Sequence, residues 1–202
     1  MTKTRIPPST GNGKAATKIY APKKLDIACG QRKQEGFKGI DIAGKADIVH
    51  DLDEIPWPIR TSSVQEVWCA HYVEHIPHWR PGWERDGWWR FFDELYRVMA
   101  PGAKAEIIHP YAMHVRAFWD PTHVRYIHEM AWYYLDKEWR EAQNLHHYPV
   151  ECDFEVLNVD ATGLDNDYMS RSAETQAFAR THYWNVIPDL RVILKSRKYR
   201  TD

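Results

Sequence analysis

From Lys23 onward, short apolar runs alternate with turn signals: KKLDIAC, KGIDI, ADIVHD, VQEVWCAH and AKAEIIHP. The runs are continuous, as a parallel sheet covered on both faces requires, whereas strands with one wet face alternate apolar and polar positions. Each run therefore predicts a buried strand of a largely parallel sheet. Between the fourth and fifth lies WWRFFDELYRVMAPG, where Phe91, Leu95, Val98 and Met99 recur at helical spacing and Pro101-Gly102 predicts the stop. After Pro110 comes an irregular stretch rich in aromatic residues and histidine, YAMHVRAFWDPTHVRYIHEM. Loops of that length in compact domains serve mostly as binding elements or lids. A helix is predicted over AWYYLDKEWREAQN, a strand over CDFEVLNVDATG, a helix over TQAFARTHYWN and a last strand over LRVILKSR.

Composition narrows the function classes. At 202 residues the chain fits one core, with residues 1–20 read as a flexible lead-in and 21–202 as a single domain. Lys+Arg 27 against Asp+Glu 28 leaves a net charge of -1, which lacks the electrostatic footprint of a general nucleic-acid binder. Ten tryptophans and eleven tyrosines exclude disorder for most of the chain and point to aromatic-lined pockets or interfaces. Cys29, Cys69 and Cys152 are odd in number and far apart, so neither a disulfide framework nor a paired zinc ribbon can be built. A reducing cytoplasmic setting is expected. The opening MTKTRIPPSTGNGKAATK has no apolar core, and no window reaches the ~18 apolar residues of a spanning helix, so no membrane association is expected.

The chemistry begins with three acidic strand ends in order: LDIACG at 25–30, GIDI at 39–42 and DIVHDLDEIPWP at 47–58. A Gly-containing turn after the first strand lets backbone amides approach a ligand at the carboxyl edge of a parallel sheet, and Gly30 is the key residue there. Asp41, ending the second strand, can accept both hydroxyls of a ribose, since a carboxylate only accepts. Asp51 could face an adenine edge, with Asp53 as its competitor. GxGxxG is absent, which disfavours a plain dinucleotide site.

The ordered set LDIACG, GIDI, HDLDEIPWP, VQEVWCAHYVEHIP and FFDELYRVMAPGAKAEIIHP resembles the class I S-adenosylmethionine-dependent methyltransferases, in particular small bacterial and phage-type ones. The resemblance covers roughly Lys23 to Pro110 well and the remainder loosely. It implies an α/β, Rossmann-like, mostly parallel sheet of about seven strands with helices on both faces and the last strand antiparallel. It also implies S-adenosyl-L-methionine as cofactor. Asp26, Ala28 and Gly30 would contact its methionine portion, Asp41 the ribose and Asp51 the adenine, with Leu52 beside the ring. Ala70, His71 and Tyr72 would line the methyl-donor site. The chain departs from the family in having no glycines at the two alternate positions after Gly30. It also has too little chain before Gly39 for a full helix, so a short loop and weaker cofactor binding are expected.

His71 and His75 stand four apart with His78 following, a spacing that suggests a metal pair. Without HExxH or a third ligand of defined geometry, no metal is expected, and His75 is read as closing a turn. FWDPTHVRYI places Asp120, His123 and Arg125 within a few residues. The resemblance extends to this segment, which some small methyltransferases carry over the active site. A carboxylate beside a histidine fixes its tautomer, and an arginine can hold an anionic acceptor. The candidate base is His71, His109 or His123, with Asp120 as orienter and with Tyr72 and Arg125 as acceptor-binding residues. Neither the Asn/Asp-Pro-Pro-Tyr turn nor the Pro-Cys of nucleic-acid methyltransferases is present, so a small-molecule or sugar acceptor is favoured over a nucleobase. Two rival readings remain. One is a catalytically silent scaffold engaging a partner through HWRPGWERDGWW. The other is a phage enzyme acting on modified nucleotides or DNA, supported only by the basic lead-in and the KSRKYR end. Trp79, Trp83, Trp88 and Trp89 would be costly to expose in one patch, which points to a homo-oligomer through that segment.

Overall fold

The computed structural model describes residues 18–199. Most of the lead-in and the last three residues lie outside them. Tyr20 already belongs to the fold, donating from its N–H to the Pro58 carbonyl and accepting from Arg60. Seven strands make one sheet: β1 (Lys24–Ile27), β2 (Lys38–Asp41), β3 (Ile48–Val49), β4 (Val64–Ala70), β5 (Met99–Pro110), β6 (Phe154–Thr162) and β7 (Asp189–Ser196). Their order is β3-β2-β1-β4-β5-β7-β6. The first five run parallel, and β7 is antiparallel to both β5 and β6. From β1 the chain moves to one side through β2 and β3, then returns to place β4 on the other. That reversal opens a crevice outside the carboxyl ends of β1 and β4, where open α/β sheets bind ligands.

Helices α1 (Gly87–Val98), α2 (Arg116–Trp119), α3 (Lys137–Ala142), α4 (Asn166–Met169) and α5 (Ala173–His182) are joined by 3-10 turns at Val73–His75 and Glu129–Leu135. Asp86 caps α1 by accepting from the Trp88 N–H. The helix buries Trp88, Phe91, Phe92, Leu95 and Val98 on one stripe. Phe92 meets Trp132 and Phe154 edge to face, so the helix and the C-terminal half share one aromatic core. A Cβ at Gly87 would collide with the Pro77 carbonyl and the Trp83 ring, so glycine is what lets the turn after β4 lie against the start of α1. Buried Glu94 accepts from the Trp57 N–H and pairs with Arg97, while the Trp57 indole donates to the Leu52 carbonyl. The helix thereby fixes the 51–58 segment that borders the crevice.

Several expectations need correction. Pro101-Gly102 does not end the helix. α1 stops at Val98, Met99 turns extended, and Pro101-Gly102 falls inside β5 beside a register shift between Val64 and Glu66. The single helix expected over 131–144 is broken at Asp136, whose carboxylate accepts from the Trp139 N–H to start α3 and also pairs with Arg197. Strands β4, β5 and β7 alternate buried and accessible positions, so the centre of the sheet is more open than continuous apolar runs imply. Cross-strand ion pairs Lys24–Glu66, Glu106–Arg191 and Glu155–Lys195 decorate it. The four tryptophans do not form an exposed patch. Trp88 is buried, Trp89 packs on Tyr148, Trp83 lies under the Arg90 guanidinium, and Trp79 alone of the four is mainly exposed, at 63%. The argument for a homo-oligomer through that segment loses its basis. The short first connection is observed: residues 28–37 pass from β1 to β2 in turns and bends. Among the described residues no helix is long and apolar enough to cross a membrane.

Candidate functional site

At the end of β1 the chain takes two left-handed residues, Ala28 (φ +54°) and Gly30 (φ +51°), and bends out of the sheet. The Gly30 N–H then reaches Asp41 Oδ2 at 2.9 Å, and the Ala43 N–H reaches Oδ1 at 2.7 Å. These bonds fix the carboxylate at the end of β2 and leave further lone pairs on both oxygens for a ligand. A Cβ at Gly30 would meet nothing within 4 Å, so the cost of a side chain there is backbone strain. Across the crevice, Asp51 accepts from the Asp53 N–H. Arg80 pairs with Asp53 and comes within 3.7 Å of Asp51. Burial raises the Asp53 carboxyl, and the Arg80 charge opposes it.

The resulting cleft, of about 320 Å³, is lined by Ala28, Asp41, Asp51, Leu52 and Tyr72, with His75 and Arg80 beside them. Asp26, Gly30 and Ala70 do not line it. Asp26 is buried within β1, and its Oδ2 accepts the Gln34 N–H at 2.6 Å, so it holds the loop that carries Gly30. Burial raises its carboxyl, with the Gln34 bond opposing. Ala70 ends β4, paired with Ile108.

The histidines sort into different environments. His71 has φ +54° and the segment after it is a 3-10 turn, so the one-face spacing expected for His71 and His75 does not arise. The His71 ring is half exposed, with Nδ1 3.4 Å from Glu74 Oε1. That is an ionic contact and not a formed hydrogen bond, and the Glu74 carboxylate raises the imidazole above its ordinary value. Nearby, Arg116 is paired to Asp189 at 2.6 Å. His78 turns away to Asp86 and the Val124 carbonyl. His109 is fully buried, with Nδ1 on the Pro110 carbonyl and Nε2 accepting the Trp132 indole N–H. Both nitrogens are occupied, so His109 is a core residue and cannot serve as base.

The 120–125 segment also departs from expectation. Asp120 Oδ1 accepts from the Thr122 N–H and hydroxyl, a turn-closing arrangement, and its Oδ2 is 3.9 Å from His123 Nε2. It does not orient that ring. The Ala117 carbonyl does so, at 3.1 Å from Nδ1. Arg125 is not free to hold an acceptor anion. Its Nε donates to the Ile76 carbonyl, and its Nη2 donates to the Pro77 carbonyl and to Asp86 Oδ1. Sequence reasoning missed Arg80, the Arg116–Asp189 pair and Glu74. For Glu74 a signal existed: an acid directly after the apolar Val73 and two residues before Ile76, in a run entering the core.

No protein-family model matches the sequence, and no curated protein does so either. Among solved structures the chain is similar to a SAM-dependent methyltransferase from Archaeoglobus fulgidus, at 18% identity over 86% of this chain and 85% of that one, with a TM-score of 0.52. A SAM-dependent methyltransferase from Methanosarcina mazei aligns at 16% identity over 87% and 92%, with a TM-score of 0.51. The fold is that of the class I SAM-dependent methyltransferases. The cleft fits such a cofactor. It offers a carboxylate pre-set by two backbone amides and an apolar wall at Leu52.

Proposed function

We propose that the protein transfers a methyl group from S-adenosylmethionine to a small-molecule acceptor, with the donor in the 320 Å³ cleft and the acceptor approaching beside His71. The observation that carries this reading is the Asp41 carboxylate, held by the Gly30 and Ala43 amides at the end of β2 and lining one cleft with Asp51 and Leu52. Asp41 accepts the ribose hydroxyls, Leu52 packs against the adenine, and Asp51 accepts from its amine edge. Bound there, S-adenosylmethionine supplies a methyl group on a cationic sulfur, so the protein's task is alignment and proton removal. His71, half exposed at the end of β4, takes up the proton that an O–H or N–H acceptor releases. The balanced net charge, and the pairing of Arg80 with Asp53 and of Arg116 with Asp189, support a small acceptor over a polyanion.

Calorimetric titration with S-adenosylhomocysteine tests the donor site. One equivalent binds the wild type. Asp41→Ala removes charge-assisted hydrogen bonds worth about 2–3 kcal/mol, and the dissociation constant rises roughly 30- to 150-fold in a variant that stays folded. An unchanged constant in that variant places the cofactor elsewhere.

A further inference from the structure

We propose that Glu74, His75 and His123 form a site for one divalent first-row transition-metal ion on the acceptor side of the donor cleft. One ligand atom from each lies within 4.8 Å of the others. In a tetrahedral shell with bonds of ~2.1 Å, ligand atoms stand about 3.4 Å apart, so small side-chain rotations complete the set.

The independent observation is Glu74 itself. It is 1% exposed, and neither carboxylate oxygen has a hydrogen-bond partner among the described residues. A buried carboxylate left this way costs several kcal/mol unless a cation meets it. His123 Nε2 is 4.0 Å from Oε1, beyond hydrogen-bond reach, and His71 Nδ1, at 3.4 Å, makes an ionic contact that falls short of a formed hydrogen bond. The segment above Glu74 is pinned to it by its own backbone, since its carbonyl accepts from both the Val124 and Arg125 N–H groups. The carboxylate is thus held in place with His71 as an ionic neighbour and no formed hydrogen bond.

The two imidazoles are prepared to ligate. The Nδ1 of His123 faces the Ala117 carbonyl at 3.1 Å, a contact that puts the proton on Nδ1 and leaves the Nε2 lone pair toward Glu74. His75 Nδ1 lies 3.0 Å from the Thr122 hydroxyl, which spends its own proton on Asp120. The Nδ1 proton of His75 therefore goes to Thr122, and that ring too is locked in one tautomer. A neutral histidine oriented by a carbonyl or hydroxyl is the usual state of a metal ligand. Two imidazoles with one carboxylate favour zinc, cobalt, iron or manganese over magnesium or calcium, which take oxygen-only shells. A fourth position remains for water or for an acceptor atom. His75 also borders the donor cleft. On the methyltransferase reading, on which this role but not the site itself rests, the ion would bind the acceptor's oxygen or nitrogen and ease loss of its proton.

The test is titration of chelator-treated, full-length protein with Zn²⁺, Co²⁺ and Mn²⁺ in turn, with the stoichiometry checked by elemental analysis and the Co²⁺ complex by its visible absorption. At least one ion binds at one equivalent, and Glu74→Gln and His123→Ala each weaken it about 100-fold or more. His75→Gln is a third variant in case either of these fails to fold. S-adenosylhomocysteine titration of the same samples separates the two readings. Metal binding without nucleoside binding keeps the site and removes its role in methyl transfer. Nucleoside binding without stoichiometric metal, or metal binding undiminished in folded variants, overturns the site.

Discussion

The imidazole of His109 lies between the Pro110 carbonyl and the Trp132 indole at 0% exposure, and burial lowers its pKa to about 4 from an ordinary 6.5. The folded state resists the proton and the unfolded chain accepts it. The contribution to stability is therefore whole above about pH 6.5 and is lost progressively as the pH falls to about 4, amounting to ~3 kcal/mol. Denaturant unfolding of the wild type should show that loss across this window. His109→Gln, whose amide can replace both bonds but takes up no proton, should lose less. An equal slope in the variant would return His109 to a position where it can titrate in the native state. From sequence, a histidine at a strand end before proline reads as a catalytic candidate. The buried indole that occupies it comes from Trp132, far along the chain, and no local pattern announces that pairing. The placement of Asp41 at the end of β2 and on the cleft was legible for the opposite reason: it follows from strand order and from an acid closing a short apolar run, both written in consecutive residues.

The 3-10 turn after β4, the start of α1 and the irregular segment following β5 meet through one side chain. Arg125, 10% exposed at its side chain, bonds the Ile76 and Pro77 carbonyls and Asp86, the residue that caps α1. Arg125→Ala should cost ~2–4 kcal/mol of unfolding free energy, since it orphans two carbonyls and a partly buried carboxylate. S-adenosylhomocysteine affinity should change by less than about threefold. Wild-type stability with impaired acceptor binding would contradict this assignment and restore a substrate role to the guanidinium. Sequence spacing grouped Asp120, His123 and Arg125 because they are neighbours in the chain. The structure separates their work into a turn, an inward-facing imidazole and a clasp, because a loop without a repeating period gives no rule for which way each residue points.

At the scale of the whole molecule, the order of apolar runs and acidic strand ends fixed the sheet to come, since a parallel sheet with a single reversal admits few arrangements. What the runs did not carry was the openness of β4, β5 and β7, the break at Asp136 and the convergence of Glu74, His75 and His123 from segments nearly fifty residues apart. Those depend on how loops return over the carboxyl edge. If this edge holds the methyl donor, a crystal structure with S-adenosylhomocysteine will show the nucleoside there. The expected complex has the ribose hydroxyls within hydrogen-bond distance of Asp41 and the adenine against Leu52 beside Asp51. A ligand seated instead in the aromatic cleft of about 540 Å³ bordered by Trp88, Tyr134 and Tyr148, with the Asp41 carboxylate untouched, would contradict it.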